Sequence, residues 1–175
     1  MILHTLGPEA TDSNAAAKWY AKQHPEIKIQ LHENFLAILN HLQDYQGDEI
    51  LIPMAYQDAE GNSLGDYHYR LLGKMQLVAT FLTELNPIVI IENQSQSHKL
   101  YTHPATLELA KQYQRDFEIE LTDSKYTAYQ NYQKDGKLVI TNQKNIQTLA
   151  PNEKILQTIH SKMGWCVYQI GGKIS

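Results

Sequence analysis

The sequence predicts an α/β protein, and two observations carry that expectation. Apolar residues recur with period two in some stretches and with helical period in others, and the two alternate along the whole chain. The joints between such stretches hold Gly, Pro, Asp, Ser and Thr, the residues of turns and helix starts. At 175 residues, the chain suits one domain or two small lobes.

The elements follow in order. Residues 2–6 read as a buried strand stopped by Gly7-Pro8, and residues 13–23 as an alanine-rich helix with Asp12 or Ser13 as N-cap and Trp19 and Tyr20 as its large side chains. Residues 27–31 alternate as a strand. Residues 34–43 place Phe35, Leu36, Ile38, Leu39 and Leu42 on one helical face. Residues 49–53 form a third strand, and residues 58–73, polar and glycine-bearing, read as loop. Residues 76–83 and 87–92 are strands joined by the turn Glu84-Leu85-Asn86-Pro87. A helix starts at Pro104, since proline suits the first helical position, with Leu107, Ala110 and Tyr113 inward. Residues 117–121 alternate as a strand. Residues 125–133 form a helix with Tyr126, Tyr129 and Tyr132 on one packed face. A strand over 137–141, a helix over 153–160 and a strand over 165–170 complete the chain.

Composition excludes several functions. Fifteen Lys and Arg against nineteen Asp and Glu leave a formal charge of −4, and only Arg70 and Arg115 are arginines. The scattered lysines form no basic stripe, which argues against a nucleic-acid partner. One cysteine, Cys166, excludes a disulfide framework and reads as a buried small hydrophobe, and no CxxC or HExxH spacing suggests a metal. No apolar run reaches the roughly 18 residues of a membrane span, and the N-terminus has no basic region before an apolar stretch. The expectation is a cytoplasmic protein with no membrane partner.

In α/β folds, ligands collect at the carboxyl ends of strands, where helix N-termini also point. Three such joints share one chemistry: residues 7–13, residues 102–104 and residues 122–124. Each places hydroxyl-bearing residues at a helix start, where backbone N–H groups lack intrahelical partners and the dipole favours negative charge. Each reads as a helix cap or as a site for a small carboxylate.

These segments resemble those of prephenate dehydratase domains. Leu6-Gly7-Pro8-Glu9-Ala10-Thr11-Asp12-Ser13, followed by three alanines, is similar to the family's opening Gly-Pro-x-Gly-Thr-x-Ser. Tyr101-Thr102-His103-Pro104 looks like its Ser-His-Pro segment, and Thr122-Asp123-Ser124 with Thr127-Ala128 like its later Ser/Thr-Ala stretch. Ala10 replaces a glycine of the family pattern. Met163-Gly164-Trp165-Cys166 stands where the family has Thr-Arg-Phe, which occurs nowhere in this chain. Pro53-Met54-Ala55-Tyr56 is closer to the non-aromatising prephenate decarboxylases of bacilysin-type antibiotic biosynthesis.

The resemblance implies two lobes of periplasmic-binding-protein type II with a ligand cleft between them, lobe 1 being residues 1–82 plus 163–175 and lobe 2 residues 83–162. It implies a lyase that decarboxylates prephenate without aromatisation and without a cofactor. Its partner is a small carboxylate such as prephenate, with a homodimer an admissible assembly. The alternatives are a non-catalytic binding module for oxo-acids or amino acids, and a divergent dehydratase of amino-acid biosynthesis. The diene of prephenate accepts the electrons released by decarboxylation, so the chemistry needs only carboxylate sites, a proton donor and a dry cleft.

The candidate catalytic residue is His103, at a helix start that lowers an imidazole pKa, with His68 second. Substrate-binding candidates are Thr11, Asp12, Ser13, Thr102, Ser124 and Thr127 at the joints. Arg70 can hold a carboxylate bidentately, and Tyr56 can face a ligand ring or pack in the core. Arg115 is read as surface.

Overall fold

The central strands are buried at successive positions, so side chains on both faces of each sheet are covered, and helices supply that cover. A computed structural model describes residues 1–171 and groups them into two compact units, Met1–Leu85 with the chain from Lys162 onward, and Asn86–Ser161.

The first unit contains β1 (Ile2–Leu6), α1 (Asp12–Ala21), β2 (Lys28–His32), α2 (Phe35–Leu39), β3 (Glu49–Pro53), α3 (Leu64–Arg70), β4 (Met75–Glu84) and the last strand, β10 (Lys162–Ile170). The sheet order is β2-β1-β3-β10-β4. β1 is parallel to β2 and β3, while β10 runs antiparallel between β3 and β4. Leu3, Leu51, Trp165 and Val167 face α1 through Ala16, Ala17 and Tyr20. Ile50, Ile52, Cys166 and Tyr168 face the other way, onto Phe35 and Ile38 of α2 and Leu64 and Tyr67 of α3. The sheet therefore stands between α1 and α3.

The second unit contains β5 (Ile88–Asn93), β6 (Lys99–Thr102), α4 (Leu107–Ala110), β7 (Glu118–Leu121), α5 (Lys125–Asp135), β8 (Leu138–Asn142) and β9 (Glu153–Ile159), in the order β7-β6-β8-β5-β9. β6 is parallel to both β7 and β8. Val89, Ile91 and Val139 pack on Ala128, Tyr129 and Tyr132 of α5. Ile90, Leu138 and Ile140 pack on the opposite face with Ala110 of α4.

Several elements differ from the sequence expectation. Residues 153–159 are strand β9 rather than helix, because β5 offers a long edge that β9 pairs from Ile88↔Ile159 to Asn93↔Glu153; pairing overrides weak helix preference. The four-residue β6 escapes the periodicity, being too short to show a pattern. The stretch read as loop holds α3, started by a capping box in which Ser63 accepts from the Asp66 N–H and Asp66 accepts from the Ser63 N–H. The helix expected from Pro104 is broken into a 3-10 turn at Pro104–Thr106, α4, and a second 3-10 turn at Lys111–Tyr113. α2 ends at Leu39, and a separate 3-10 turn covers Leu42–Tyr45. Strands β4 and β5 belong to different sheets, and residues 84–87 carry the chain from the first unit into the second. Tyr126 is 55% exposed and leaves the packed face to Tyr129 and Tyr132. Trp19 is 42% exposed and stacks on Phe81 at 4.7 Å.

Candidate functional site

In the second unit, two of the three hydroxyl-bearing joints meet on one edge. β6 and β7 are parallel neighbours with Thr102 opposite Leu121, so both chains leave the sheet side by side. The Thr122 N–H and hydroxyl both donate to the Thr102 carbonyl, at 2.9 and 3.2 Å. Thr102 itself is fully buried, and its hydroxyl lies 2.9 Å from that of Thr106. Its side chain therefore holds the joint together from inside the unit.

His103 follows at once and caps the turn at Pro104–Thr106. Its Nδ1 accepts the Ala105 N–H at 3.1 Å, and its carbonyl accepts the Thr106 N–H at 2.8 Å. A backbone N–H can only donate, so Nδ1 is unprotonated and the neutral ring carries its proton on Nε2. Burial pushes the His103 pKa below the ordinary histidine value; nearby Lys125 pushes the same way and Asp123 opposes. Desolvation favours the neutral ring here, and the ring presents a single N–H donor.

Beside it, Ser124 is the N-cap of α5. Its hydroxyl accepts the Thr127 N–H at 3.0 Å and lies 2.9 Å from the Thr127 hydroxyl. The Lys125 carbonyl accepts from Thr141 at 2.6 Å, which ties the start of α5 to β8. His103, Ser124, Lys125 and Thr127 thus gather at the carboxyl ends of parallel strands. That edge has donors, a cation and a helix N-terminus.

In the first unit, the chain leaves β1 through a cis Gly7–Pro8 bond and enters α1. Thr11, rather than Asp12 or Ser13, is the N-cap: its hydroxyl accepts the Asn14 N–H at 3.2 Å and donates to the Leu6 carbonyl at 3.0 Å. Asp12 and Ser13 occupy the first turn, Ser13 buried. The Asp12 carboxylate complements the helix dipole itself, which weakens this joint as a place for a second anion. Gly7 lets β1 and β2 stay close here, since a Cβ on it would sit 3.1 Å from the Leu31 Cβ.

The remaining candidates lie elsewhere in this unit. Tyr56 is partly buried against the core, edge-on to Phe35 at 5.0 Å and near Tyr67 at 6.0 Å. Burial, with the Asp58 charge second, raises its pKa. Arg70 ends α3, across the sheet from α1, and folds its guanidinium over the Tyr67 ring to donate to Asn62 at 3.0 Å. His68 lies 3.2 Å from the Tyr168 hydroxyl. Cys166 is buried with its thiol pKa raised by burial, and Arg115, which belongs to the second unit, is exposed. Tyr56, His68, Arg70 and Cys166 serve α3 and its loop or the core.

The sequence reading missed a second histidine cluster. His4 on β1, fully buried, places Nδ1 2.9 Å from Nε2 of His32, the last residue of β2, and Nε2 3.4 Å from an Asp48 carboxylate oxygen. The available signal was one period-two position: His4 stands in a strand whose neighbours Leu3 and Thr5 face α1.

No family of known proteins and no curated protein matches the sequence. The fold has many solved counterparts. Prephenate dehydratase from Staphylococcus aureus superposes with a TM-score of 0.59 at 16% identity, over 97% of this chain and 66% of that one. The Arthrobacter aurescens prephenate dehydratase, solved with L-Phe, gives 0.57 at 12% identity, over 98% and 61%. The substrate-binding domain of a putative molybdenum ABC transporter from Clostridium difficile gives 0.51 at 11% identity, over 97% and 84%. The chain thus spans less than two thirds of the dehydratases it matches, and at these identities the likeness is one of fold. That fold is the mixed α/β, two-sheet architecture common to prephenate dehydratases and type II periplasmic-binding domains. Among the described residues, no helix is long and apolar enough to cross a membrane.

Proposed function

We propose that the chain binds a small carboxylate of the prephenate type and decarboxylates it without aromatisation. The observation that carries this reading is the edge of the second unit. There a neutral His103 with its proton on Nε2 stands beside Lys125 and the start of α5. A carboxylate can accept from such donors, and the lysine and helix dipole favour its charge.

In the proposed reaction, the bond from the quaternary ring carbon to its carboxylate breaks and CO2 leaves. The freed pair forms a new ring double bond, and the displaced pair of the old one takes a proton at the far carbon. One proton is consumed, the ring hydroxyl stays, and nothing is oxidised or reduced. His103 is the candidate catalytic residue, since its Nε2–H is the donor this edge offers to substrate. Dehydration would need a group that helps the hydroxyl depart, and the Thr-Arg-Phe segment associated with that step is missing.

A non-catalytic oxo-acid sensor is the second reading. It is favoured by the hydroxyls of Thr11, Thr102 and Ser124, all committed to bonds within their own units. A thermal-shift series tests binding first. Prephenate at 100 times its dissociation constant stabilises the fold by about 2.7 kcal/mol, and no shift at millimolar prephenate or phenylpyruvate removes both readings. CO2 release above the enzyme-free rate at neutral pH then separates enzyme from sensor.

A further inference from the structure

We propose that Asp48, His4 and His32 of the first unit form a proton relay whose outer ring, His32, is an acid–base site. The geometry allows one arrangement of protons. His4 Nε2 faces a carboxylate oxygen at 3.4 Å, so it carries a hydrogen, because a bare nitrogen there would set two lone pairs against each other. His4 Nδ1 is then an acceptor, and the hydrogen between the two rings belongs to His32 Nε2, 2.9 Å away. That fixes the tautomer of His32 and leaves Nδ1 as its proton-accepting atom. Asp48 is itself anchored, its other oxygen accepting the Ile2 N–H at 2.7 Å.

Only the outer ring is reachable. His4 is fully buried, whereas His32 closes β2 and lines a hollow of about 440 Å³ with Gly7, Pro8, Leu31 and Glu33. A proton taken up at His32 Nδ1 can be followed by transfer of the Nε2 proton to His4 Nδ1. His32 is then neutral again, and the charge rests on His4 against the Asp48 carboxylate. A small acid or water supplies the proton and receives it back, so no other reactant is consumed. His4 and Asp48 are positioning residues, and His32 is the exchanging one.

The other groups facing the pair are few. Tyr45, in the 3-10 turn Leu42–Tyr45, lies with its ring 4.2 Å from that of His4 and 5.8 Å from that of His32. Asp44 of that turn is exposed, Glu33 borders the hollow, and α2 contributes no titratable residue.

Nitrogen-15 NMR of the imidazoles tests the relay without reference to any substrate. The wild-type protein at pH 7.5 is expected to show protonated Nε2 on both His4 and His32, and on acidification the two rings should move together in one shared step. Asp48→Asn should lower that step by about one pH unit, tenfold in proton affinity, through loss of the facing charge. A proton on His4 Nδ1 in the wild type, or His32 titrating alone while His4 stays silent, overturns the proposal. The wild-type tautomers decide the matter even if the variant does not fold.

Discussion

Thr122 donates both its backbone N–H and its side-chain hydroxyl to the carbonyl oxygen of Thr102, at 2.9 and 3.2 Å. This pair of bonds joins the exit of β6 to the exit of β7 and so sets His103 beside the start of α5. The same hydroxyl also reaches the Ser124 carbonyl at 2.9 Å. Thr122→Val keeps the shape and removes the donor. It should cost about 1 kcal/mol in urea unfolding and loosen the edge enough to weaken any carboxylate-induced thermal shift. A variant as stable as wild type with an unchanged shift would show that the hydroxyl plays no part.

Thr11→Ala should destabilise the first unit by about 1 kcal/mol, the usual cost of an N-cap. Thr11 is the group that satisfies the Asn14 N–H and grips the Leu6 carbonyl. Denaturant unfolding reads the loss. No change would mean that Asp12 or Ser13 takes over the cap.

Gly136→Ala should destabilise by about 1–3 kcal/mol through overpacking. Its added Cβ would fall 2.6 Å from the Tyr132 Cα and 2.9 Å from the Tyr101 ring, and the nearer neighbour is backbone that cannot swing away. Thermal denaturation checks this, and an unchanged midpoint contradicts the close approach of α5 to β6.

Stability should fall on acidification. Burial holds His4, His32 and His103 below the ordinary histidine pKa, so the unfolded chain takes up protons first. The stability these rings contribute is full above about pH 6.5 and is lost as pH drops towards their folded values. The slope is about 1.4 kcal/mol per pH unit for each proton withheld, and less for the half-exposed rings. Urea unfolding at pH 7.5 and 5.5 measures it, and His103→Gln should flatten the slope. Equal stability at both pH values contradicts the burial argument.

Asp58 is held at about 2, chiefly by the Tyr67 hydroxyl donating at 2.6 Å and then by Asn62 and backbone donors. Tyr67→Phe removes the largest cause and keeps the buried ring. Carboxyl NMR should show the pKa of Asp58 rising towards the ordinary carboxylate value, and a value still near 2 would assign the depression to the loop alone.

The fold class was legible because strands such as β3 and β8 carry apolar runs, Ile50-Leu51-Ile52 and Leu138-Val139-Ile140, bounded by turn residues. Legibility failed where tertiary pairing decides: β9 has no period of its own that separates strand from helix, and β6 is four residues long. α3 was hidden by its polarity, although Ser63 and Asp66 at capping-box spacing were the available sign. At the candidate site, the sequence pointed to His103, Ser124 and Thr127, which the fold places on one edge. It could not show that Arg70 would turn to Asn62 and Tyr67, since the segment holding all three read as loop and the helical turn that brings them together was hidden. His4 and His32 lie 28 positions apart and meet only because β1 and β2 pair in register.

The most direct measurement is the identity of the product formed from prephenate near neutral pH, followed by proton NMR against an enzyme-free control. The expected result is an accelerated signal set with olefinic ring protons and a surviving carbinol proton. His103→Ala should lower that rate by about 10²-fold, the lower scale for loss of a general acid or base. Accelerated formation of phenylpyruvate, or no acceleration at all, contradicts it.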